Sequence, residues 1–271
     1  MDVINHLSLC AGVGGIDIGL RKVVKGLRTL AMVEREAFAI SVLESKMEEG
    51  ALDKCPIYPD LLRFPWERYR GLLDIVSGGF PCQPFSISGS RKSTEDPRHL
   101  WPFIKEGIGI TKPIFCFFEN VDGIASAKSP GYYSVLHHVL SDLEEMGYRT
   151  EAGCFSAEEV GAPHQRKRWF ILAYGERARL EGHPRHECNE SGPTGKSSFS
   201  GPTSESGLQR WPARPGEKQK GWEPPRTVKP GLGRYVDGIP NRVDRLRALG
   251  NAVVPEVAAT ALVHLLKRLE E

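Results

Sequence analysis

Short apolar runs alternate with amphipathic stretches over the first 173 residues of this 271-residue chain. This alternation is typical of βαβ units, in which helices cover a mostly parallel sheet. Strands are predicted near 3–10, 28–34, 72–78, 113–119 and 167–174, and helices near 14–26, 36–48, 97–110 and 131–147. We therefore expect an α/β fold with a doubly wound, mostly parallel sheet.

The composition changes after this region. Residues 174–240 contain 11 Gly and 9 Pro and few large apolar side chains. Such a segment buries too little apolar surface to offset its ordering entropy easily, which predicts a small irregular lobe. A last helix is predicted over about 255–269, where Pro255 suits the first helical position and one face is apolar. The chain then divides into a large domain, 1–173 plus 250–271, and a small region, 174–249.

Charge is unevenly distributed along the chain. Residues 161–250 hold 17 Lys+Arg against 9 Asp+Glu, whereas the remainder holds 19 against 25. A chain with one basic and one acidic part favours a polyanion bound on the basic side. A solvated basic surface is the alternative if charge is the only clue.

Cysteine spacing and hydropathy exclude several other classes. The cysteines, at positions 10, 55, 82, 116, 154 and 188, form no CxxC pair, which argues against a zinc ribbon or a disulfide framework. No stretch approaches the roughly 20 apolar residues that a membrane span requires, and the first residues do not resemble a signal peptide. We expect a cytoplasmic protein with reduced thiols and no membrane partner.

A glycine-rich turn, residues 11–15, follows the first predicted strand and precedes an amphipathic helix. Its glycines allow a tight turn close to a ligand, although the spacing matches neither the dinucleotide fingerprint nor a phosphate loop. The second strand ends in Glu34, which can accept hydrogen bonds from both ribose hydroxyls of a nucleoside-containing cofactor. Asp60, at the next strand end, can accept one from an adenine amino group. A surface or capping role suits either acid equally well when it is considered alone.

Two chemically reactive side chains follow two further apolar runs. Cys82 comes after the run 72–76 and Glu119 after the run 114–118. The ligand crevice of an open α/β sheet lies outside the carboxyl ends of its strands, so a nucleophile and an acid are expected in one cleft. Arg166 and Arg168 can stabilise a Cys82 thiolate there, or simply form a basic strand edge. Cys116, within an apolar run, is predicted to be a core residue.

Together these residues resemble the DNA cytosine-5 methyltransferase family. The resemblance is carried, in chain order, by LCAGVGG at 9–15, Glu34, Asp60, GFPCQPFS at 79–86, ENV at 119–121, the pair Arg166 and Arg168, and GNAVVP at 250–255. It implies the doubly wound fold of S-adenosylmethionine-dependent methyltransferases with a small target-recognition lobe. It also implies S-adenosyl-L-methionine as cofactor, duplex DNA as partner and a monomer as the working form. Pairing with a restriction endonuclease, protection of phage DNA and independent action all stay open.

The resemblance implies three sets of site residues. The catalytic set is Cys82, Glu119, Arg166 and Arg168. The cofactor-binding set is Leu9, Cys10, Ala11, Gly12, Gly14, Gly15, Glu34, Asp60, Pro81, Leu100, Asn251 and Val253. The DNA-binding set, in the loop after the nucleophile, is Gln83, Ser86, Arg91 and Lys92. No metal is expected, because His183, His186 and Cys188 lack a fourth ligand at suitable spacing.

The chemistry that the resemblance implies needs these residue types. Cytosine C5 is a poor nucleophile, so the Cys82 thiolate adds to C6 and creates an enamine-like ring that attacks the methyl sulfonium. Glu119 bonds the N3 and N4 edge, and the two arginines hold the base from its O2 side. The base must first be flipped out of the duplex.

Some positions depart from the family pattern. Cys10 stands where the family usually has Phe, and His164 where it has Gln. The separate arginine-rich motif that normally precedes the closing one is missing, so DNA sequence specificity is not predicted. An RNA cytosine-5 methyltransferase is the alternative enzyme, since a small lobe suits a structured RNA. A catalytically silent nucleic-acid-binding protein is the alternative outside enzymes.

Overall fold

The computed structural model describes residues 3–81, 100–127, 129, 131–175, 213, 218–221 and 242–270. It contains one seven-stranded sheet with the strand order β3-β2-β1-β4-β5-β7-β6. The strands are β1 (Ile4–Leu9), β2 (Leu27–Val33), β3 (Ile57–Tyr58), β4 (Ile75–Gly78), β5 (Phe115–Val121), β6 (Arg149–Ser156) and β7 (Lys167–Tyr174). The first five strands pair in parallel, whereas β7 lies antiparallel to both β5 and β6. The predicted α/β fold with a mostly parallel sheet is confirmed.

Two strands were missing from the prediction. β6 is an edge strand that, among the described strands, pairs with β7 alone, and five of its eight residues are at least partly exposed. It therefore lacks the continuous apolar run that marks a central parallel strand. β3 is only two residues long. A third difference is that β5 extends to Val121, so Glu119 lies inside this strand and pairs with Phe170 rather than following the strand end.

Helices cover both faces of the sheet. They are α1 (Gly15–Val23), α2 (Ala37–Glu48), α3 (Trp101–Thr111), α4 (Val135–Glu145), α5 (Arg242–Asn251) and α6 (Pro255–Glu270). Side chains of β5 alternate between the faces, as the strand period of two requires: Cys116 and Phe118 pack in the cluster beneath α3 and α4, whereas Phe117 packs beneath α1 and α6. Cys116 is fully buried, as predicted for a core residue.

The predicted helix boundaries shift where local chemistry decides them. α4 begins at Val135 rather than near 131, because the Ser134 side chain accepts a hydrogen bond from the His137 N–H and caps the helix. α3 begins at Trp101, and residues 97–99 lie outside the described part of the chain. α6 matches the predicted last helix, and α5 was not predicted.

The C-terminal helices differ from the expectation about membrane-spanning length. By length and composition alone, the stretch Val243–Glu270 is apolar enough to cross a membrane. A single stretch of this kind is weak evidence, because the core helix of a globular domain passes the same test. Eight side chains of α6 are buried in the core that it forms with α1 and the sheet. The apolar face of α6 is thus accounted for by packing.

Candidate active site

A cavity of about 930 Å³ opens at the carboxyl ends of β1, β2, β4 and β5. This is where ligand crevices lie in open α/β sheets. Many of the predicted site residues line it, namely Cys10, Gly12, Glu34, Asp60, Pro81, Leu100, Glu119, Arg168 and Asn251. A small pocket that shares Cys10, Gly12, Glu119 and Asn251 with it is also lined by Ala11, Gly15 and Val253. Predicted site residues from near the start and near the end of the chain therefore line the same pocket.

Two residues of the glycine-rich turn, and the cysteine directly before it, have a left-handed backbone conformation. Cys10 has a φ of 48°, Gly12 of 56° and Gly14 of 78°, and Gly14 forms the N-cap of α1. Glycine adopts this conformation without a Cβ clash, whereas Cys10 adopts it at a cost of about 1–2 kcal/mol. The Ala11 N–H donates to the Val33 carbonyl at 3.0 Å, which attaches the turn to the end of β2.

Glu34 follows β2 and is 8% exposed. Its Oε2 accepts a hydrogen bond from the Gly12 N–H at 2.6 Å, and its Oε1 accepts from the N–H groups of Arg35 and Glu36 at 2.8 Å each. Three backbone donors from two segments thus fix the orientation of this carboxyl group. The sequence placed Glu34 at the end of the second strand, and the structure brings it into direct contact with the glycine-rich turn.

Asp60 lines the cavity at the end of β3, and its side chain also has a local structural role. Oδ1 accepts a hydrogen bond from the Leu62 N–H at 3.0 Å and caps a short 3-10 turn, Leu61–Arg63. The capping interpretation is therefore realised. Oδ2 lies 3.7 Å from Arg63 Nε in an exposed contact, so the cofactor role of Asp60 stays a prediction.

Glu119, which is buried, and Arg168, which is partly buried, form an ion pair that lines the same cavity. Arg168 Nε lies 2.8 Å from Glu119 Oε1, and Glu119 is 7% exposed. Burial raises the pKa of Glu119 to about 7, and this effect outweighs the opposing charges of Arg168 and Arg166. A carboxyl group of this kind can hold or release a proton near neutral pH, which is a property of acid–base groups.

Arg166 points elsewhere. Its Nη2 donates to the Gly250 carbonyl at 2.8 Å and also to the Ala252 carbonyl. It is not among the residues that line the cavity, and its backbone φ of 33° is unusual for a residue other than glycine. The structure therefore joins Arg166 to the closing segment, which we define as residues 250–255. Its predicted contact with the target base stays a prediction.

The closing segment packs directly on the start of α1. A Cβ atom added to Gly15 would lie 2.2 Å from the Val253 carbonyl oxygen, and one added to Gly19 would lie 2.6 Å from the Pro255 carbonyl oxygen. Only glycine permits this close approach. It explains how residues nearly 240 positions apart come to line the same small pocket.

Several predicted site residues have a different position or fall outside the description. Leu9 is fully buried at the end of β1, and neither Leu9 nor Gly14 lines the cavity. Five others lie outside the described residues, namely Cys82, Gln83, Ser86, Arg91 and Lys92. Pro81, the residue before Cys82 in sequence, lines the cavity. Within the described ranges, no group of three His, Cys, Asp or Glu side chains is arranged to hold a metal ion.

Sequence reasoning missed some residues of the cavity. Phe38 and Leu62 contribute apolar wall, and Arg247 of α5 lines the rim and pairs with Glu36 at 3.0 Å. Asn120, which is 2% exposed, donates to the Phe80 carbonyl at 2.9 Å. For Asn120, the available sequence signal was its position in the ENV motif. Phe38 and Leu62 gave no such signal, because an apolar residue at the start of a helix looks like an ordinary core residue.

The sequence of the chain is similar to those of known proteins. A family model described as C-5 cytosine-specific DNA methylase matches residues 4–212. The chain is 30% identical over 173 residues to Type II methyltransferase M.NaeI of Lentzea aerocolonigenes, covering 64% of this chain and 40% of that protein. It is 32% identical over 171 residues to Type II methyltransferase M.CviJI of Paramecium bursaria Chlorella virus IL3A, covering 62% and 42%. The chain thus spans less than half the length of these relatives.

Solved structures are similar in fold. S. pombe Dnmt2 methyltransferase aligns with a TM-score of 0.53 at 21% identity, over 64% of this chain and 51% of that one. A mutant of Spodoptera frugiperda DNMT2 aligns with a TM-score of 0.53 at 19% identity, over 68% and 54%. At these identities the likeness concerns the fold alone, and it confirms the methyltransferase-type sheet expected from the sequence.

Proposed function

Because the chain belongs to the C-5 cytosine-specific DNA methylase family, we propose that it transfers a methyl group from S-adenosylmethionine to C5 of a flipped-out cytosine in duplex DNA. The observation that carries the proposal is the single cavity that both Glu34 and the Glu119–Arg168 pair line. One side suits a nucleoside-containing methyl donor, and the other suits a cytosine base. Methyl transfer needs both ligands in one space.

The donor side fits S-adenosylmethionine. Glu34 uses three of the roughly four acceptor positions of a carboxylate on backbone N–H groups, which leaves about one for a ribose hydroxyl. A Cβ at Gly12 would meet open space, so the turn leaves room for a ligand close to the backbone. Phe38, Leu62 and Leu100 supply the apolar walls typical of a small-molecule site. When bound, the cofactor supplies an electrophilic methyl group on its sulfonium.

Glu119 recognises the base in this proposal. In its protonated form the carboxyl group donates a hydrogen bond to cytosine N3, and its other oxygen accepts one from the N4 amino group. The raised pKa of about 7 supports a protonated fraction at neutral pH. Donation to N3 stabilises the negative charge that develops on the ring when a nucleophile adds at C6. The same two bonds select cytosine over thymine, which offers neither partner in this arrangement.

Arg168 has two tasks beside Glu119. Its Nε contact at 2.8 Å holds the carboxyl group, and the remaining guanidinium donors are proposed to reach cytosine O2. A cation at this position also stabilises the thiolate form of a neighbouring cysteine.

Cys82 is the proposed nucleophile. It directly follows Pro81 in the sequence, and Pro81 lines the cavity. The thiolate forms a bond to C6, the C5–C6 π electrons move to C5, and C5 attacks the methyl group. The methyl–sulfur bond breaks with its electron pair left on sulfur, so that S-adenosylhomocysteine leaves. Transfer of the C5 proton to solvent then breaks the C6–S bond, releases the Cys82 thiolate and restores the aromatic ring.

Access to C6 requires that the base leave the duplex, at a cost of about a few kcal/mol. Contacts to phosphates offset such a cost. We propose that Gln83, Ser86, Arg91 and Lys92 and the basic region 174–249 supply them, with that region as the target-recognition part beside a catalytic domain of 1–173 plus 250–271. We further propose that the chain acts as a monomer, in a restriction-modification setting of the kind that the names of its relatives indicate.

The test is methyl transfer from labelled S-adenosylmethionine to unmodified duplex DNA, followed by bisulfite sequencing. Wild-type activity that disappears in Cys82→Ala, and persists in the exposed-cysteine control Cys154→Ala, is the expected result. Methylation of transfer RNA but not of DNA would contradict the proposed substrate and favour the RNA alternative. Cofactor binding without methylation of any nucleic acid would favour the silent-binder alternative.

A further inference from the structure

We propose that Arg166 is a positioning residue for the methyl-donor site, which it builds by holding the closing segment in place, and that it does not contact the target base. This inference rests on the proposed function, because it assigns the residue to the donor side of that cavity. It separates two arginines that are only two positions apart in sequence.

The hydrogen bonds of Arg166 carry the inference. One guanidinium nitrogen donates to the carbonyls of Gly250 and Ala252. These residues flank Asn251, which lines both the main cavity and the small pocket. The backbone is therefore fixed immediately before and immediately after the residue that faces the ligand space.

The closing segment is held from the other side by α1. The Val253 carbonyl oxygen lies 2.2 Å from the place of a Cβ on Gly15, and the Pro255 carbonyl oxygen lies 2.6 Å from that of a Cβ on Gly19. The segment is thus confined between a guanidinium and two glycines. Backbone confined on both sides cannot relax independently of its supports.

Arg166 also has two unfavourable features. Its φ of 33° lies in the left-handed region, and its Nε is buried without a hydrogen-bond partner among the described residues. Both features cost free energy. Such costs persist where the surrounding structure requires a particular geometry, and functional sites are common locations for them.

Arg168 differs from Arg166 in each of these respects. It lies within β7, lines the cavity and pairs with Glu119 at 2.8 Å. Arg166 precedes β7, and its backbone turn directs its guanidinium toward the closing segment. Arg168 therefore serves the base side of the cavity, and Arg166 serves the donor side.

The experiment measures binding of S-adenosylhomocysteine by isothermal titration calorimetry, so that the readout does not depend on activity. Arg166→Ala should weaken binding at least tenfold, and Arg166→Lys less, since an ammonium group can still donate to one carbonyl. Arg168→Ala should bind within about threefold of wild type. In steady-state assays, Arg166→Lys should raise the donor KM more than it lowers kcat.

Hydrogen–deuterium exchange keeps the inference testable if Arg166→Ala does not fold. Arg166→Lys should then show faster amide exchange in residues 250–255 and unchanged exchange in the central strands. Wild-type-like donor binding in both Arg166 variants would overturn this inference alone. A wild-type protein that does not bind S-adenosylhomocysteine would overturn both this inference and the proposed function.

Discussion

Two buried carboxyl groups face the same cavity, and their partners differ in kind. Glu34 is 8% exposed and accepts three backbone N–H bonds, whereas Glu119 is 7% exposed and pairs with the guanidinium of Arg168. The two carboxyl groups are therefore similarly buried and differ in their partners. Backbone donors hold the Glu34 carboxyl group in one orientation. For Glu119, burial raises the pKa to about 7, although the charges of Arg168 and Arg166 oppose the rise.

The difference extends to the surroundings of each carboxyl group. Glu34 is bonded to the backbone of the glycine-rich turn through the Gly12 N–H, and this turn packs on the closing segment at Gly15. The Glu119 side is built from side chains, with Arg168 and Asn120 around it. A site made of backbone suits a ligand that must always bind in the same way. A site made of ionisable side chains suits a reaction in which charge moves.

The largest expected effect is the loss of methyl transfer in Glu119→Gln. Glutamine can make both hydrogen bonds to the base but cannot transfer a proton to N3, and it cannot form an ion pair with Arg168. We therefore expect the single-turnover rate to fall about 10²–10³-fold, or about 3–4 kcal/mol. Affinity for S-adenosylhomocysteine should stay within about threefold of wild type. Rapid-quench kinetics with labelled donor and calorimetry measure the two quantities.

Glu34→Gln is the crossed control for this prediction. It exchanges an acceptor oxygen for an NH₂ group beside backbone donors, which should weaken donor binding about tenfold while the rate at saturating donor changes little. If either variant loses both donor affinity and rate, the cavity does not have two separable sides and the comparison fails.

The parts of this site that could be predicted from the sequence are those that depend on local pattern. The runs that form β2 and β5 are apolar because both faces of a central strand are covered, so the positions of Glu34 and Glu119 near strand ends could be predicted. β6 could not, because an edge strand such as RTEAGCFS has no such run.

Contacts between distant segments could not be predicted. Nothing near Arg166 indicates that its partners are carbonyls 84 and 86 residues away. Phe38 likewise looks like a core residue of α2 until the cavity is known. In both cases the missing information is tertiary. The resemblance supplied the chemical types of the site residues, but it did not distinguish the two arginines.

A second prediction tests whether close backbone packing builds the donor side. Gly15→Ala places a Cβ 2.2 Å from the Val253 carbonyl oxygen, which is too close for a non-bonded contact, so the closing segment must shift. We expect destabilisation of about 1–3 kcal/mol and roughly tenfold weaker binding of S-adenosylhomocysteine. Denaturant unfolding and calorimetry check these values.

Gly109→Ala is the matched control, because it makes the same change within helix α3, where the new Cβ meets only Met146 Cε at 3.8 Å. It should leave donor affinity unchanged and stability equal or slightly higher, as expected for Gly→Ala in a helix. Equal donor affinity in Gly15→Ala and wild type would show that the contact with Val253 is dispensable.

The smallest expected effect is a shift in pH dependence, and it concerns Glu119 alone. Burial raises the pKa of this carboxyl group to about 7, and Arg168 and Arg166 oppose the rise. If the protonated form acts on N3, kcat/KM is highest below that pKa and falls as pH rises through about 7. Removing Arg168 removes an influence that lowers the pKa, so Arg168→Gln should move this alkaline limb to higher pH, whatever its effect on the maximal rate.

The pH profile of kcat/KM, normalised to each variant's maximum, measures the shift. Arg70→Gln is the control, because Arg70 is an exposed arginine that pairs with Glu67 and does not line the cavity, and its limb should coincide with that of wild type. Glu119→Gln should have no limb that is due to this group. An Arg168→Gln limb that stays in place or moves to lower pH would mean that another group titrates. Activity that instead rises through pH 7 in both Arg168→Gln and wild type would mean that the Glu119 anion is the active form. Glu119 would then resemble Glu34, because both carboxyl groups would act only as hydrogen-bond acceptors.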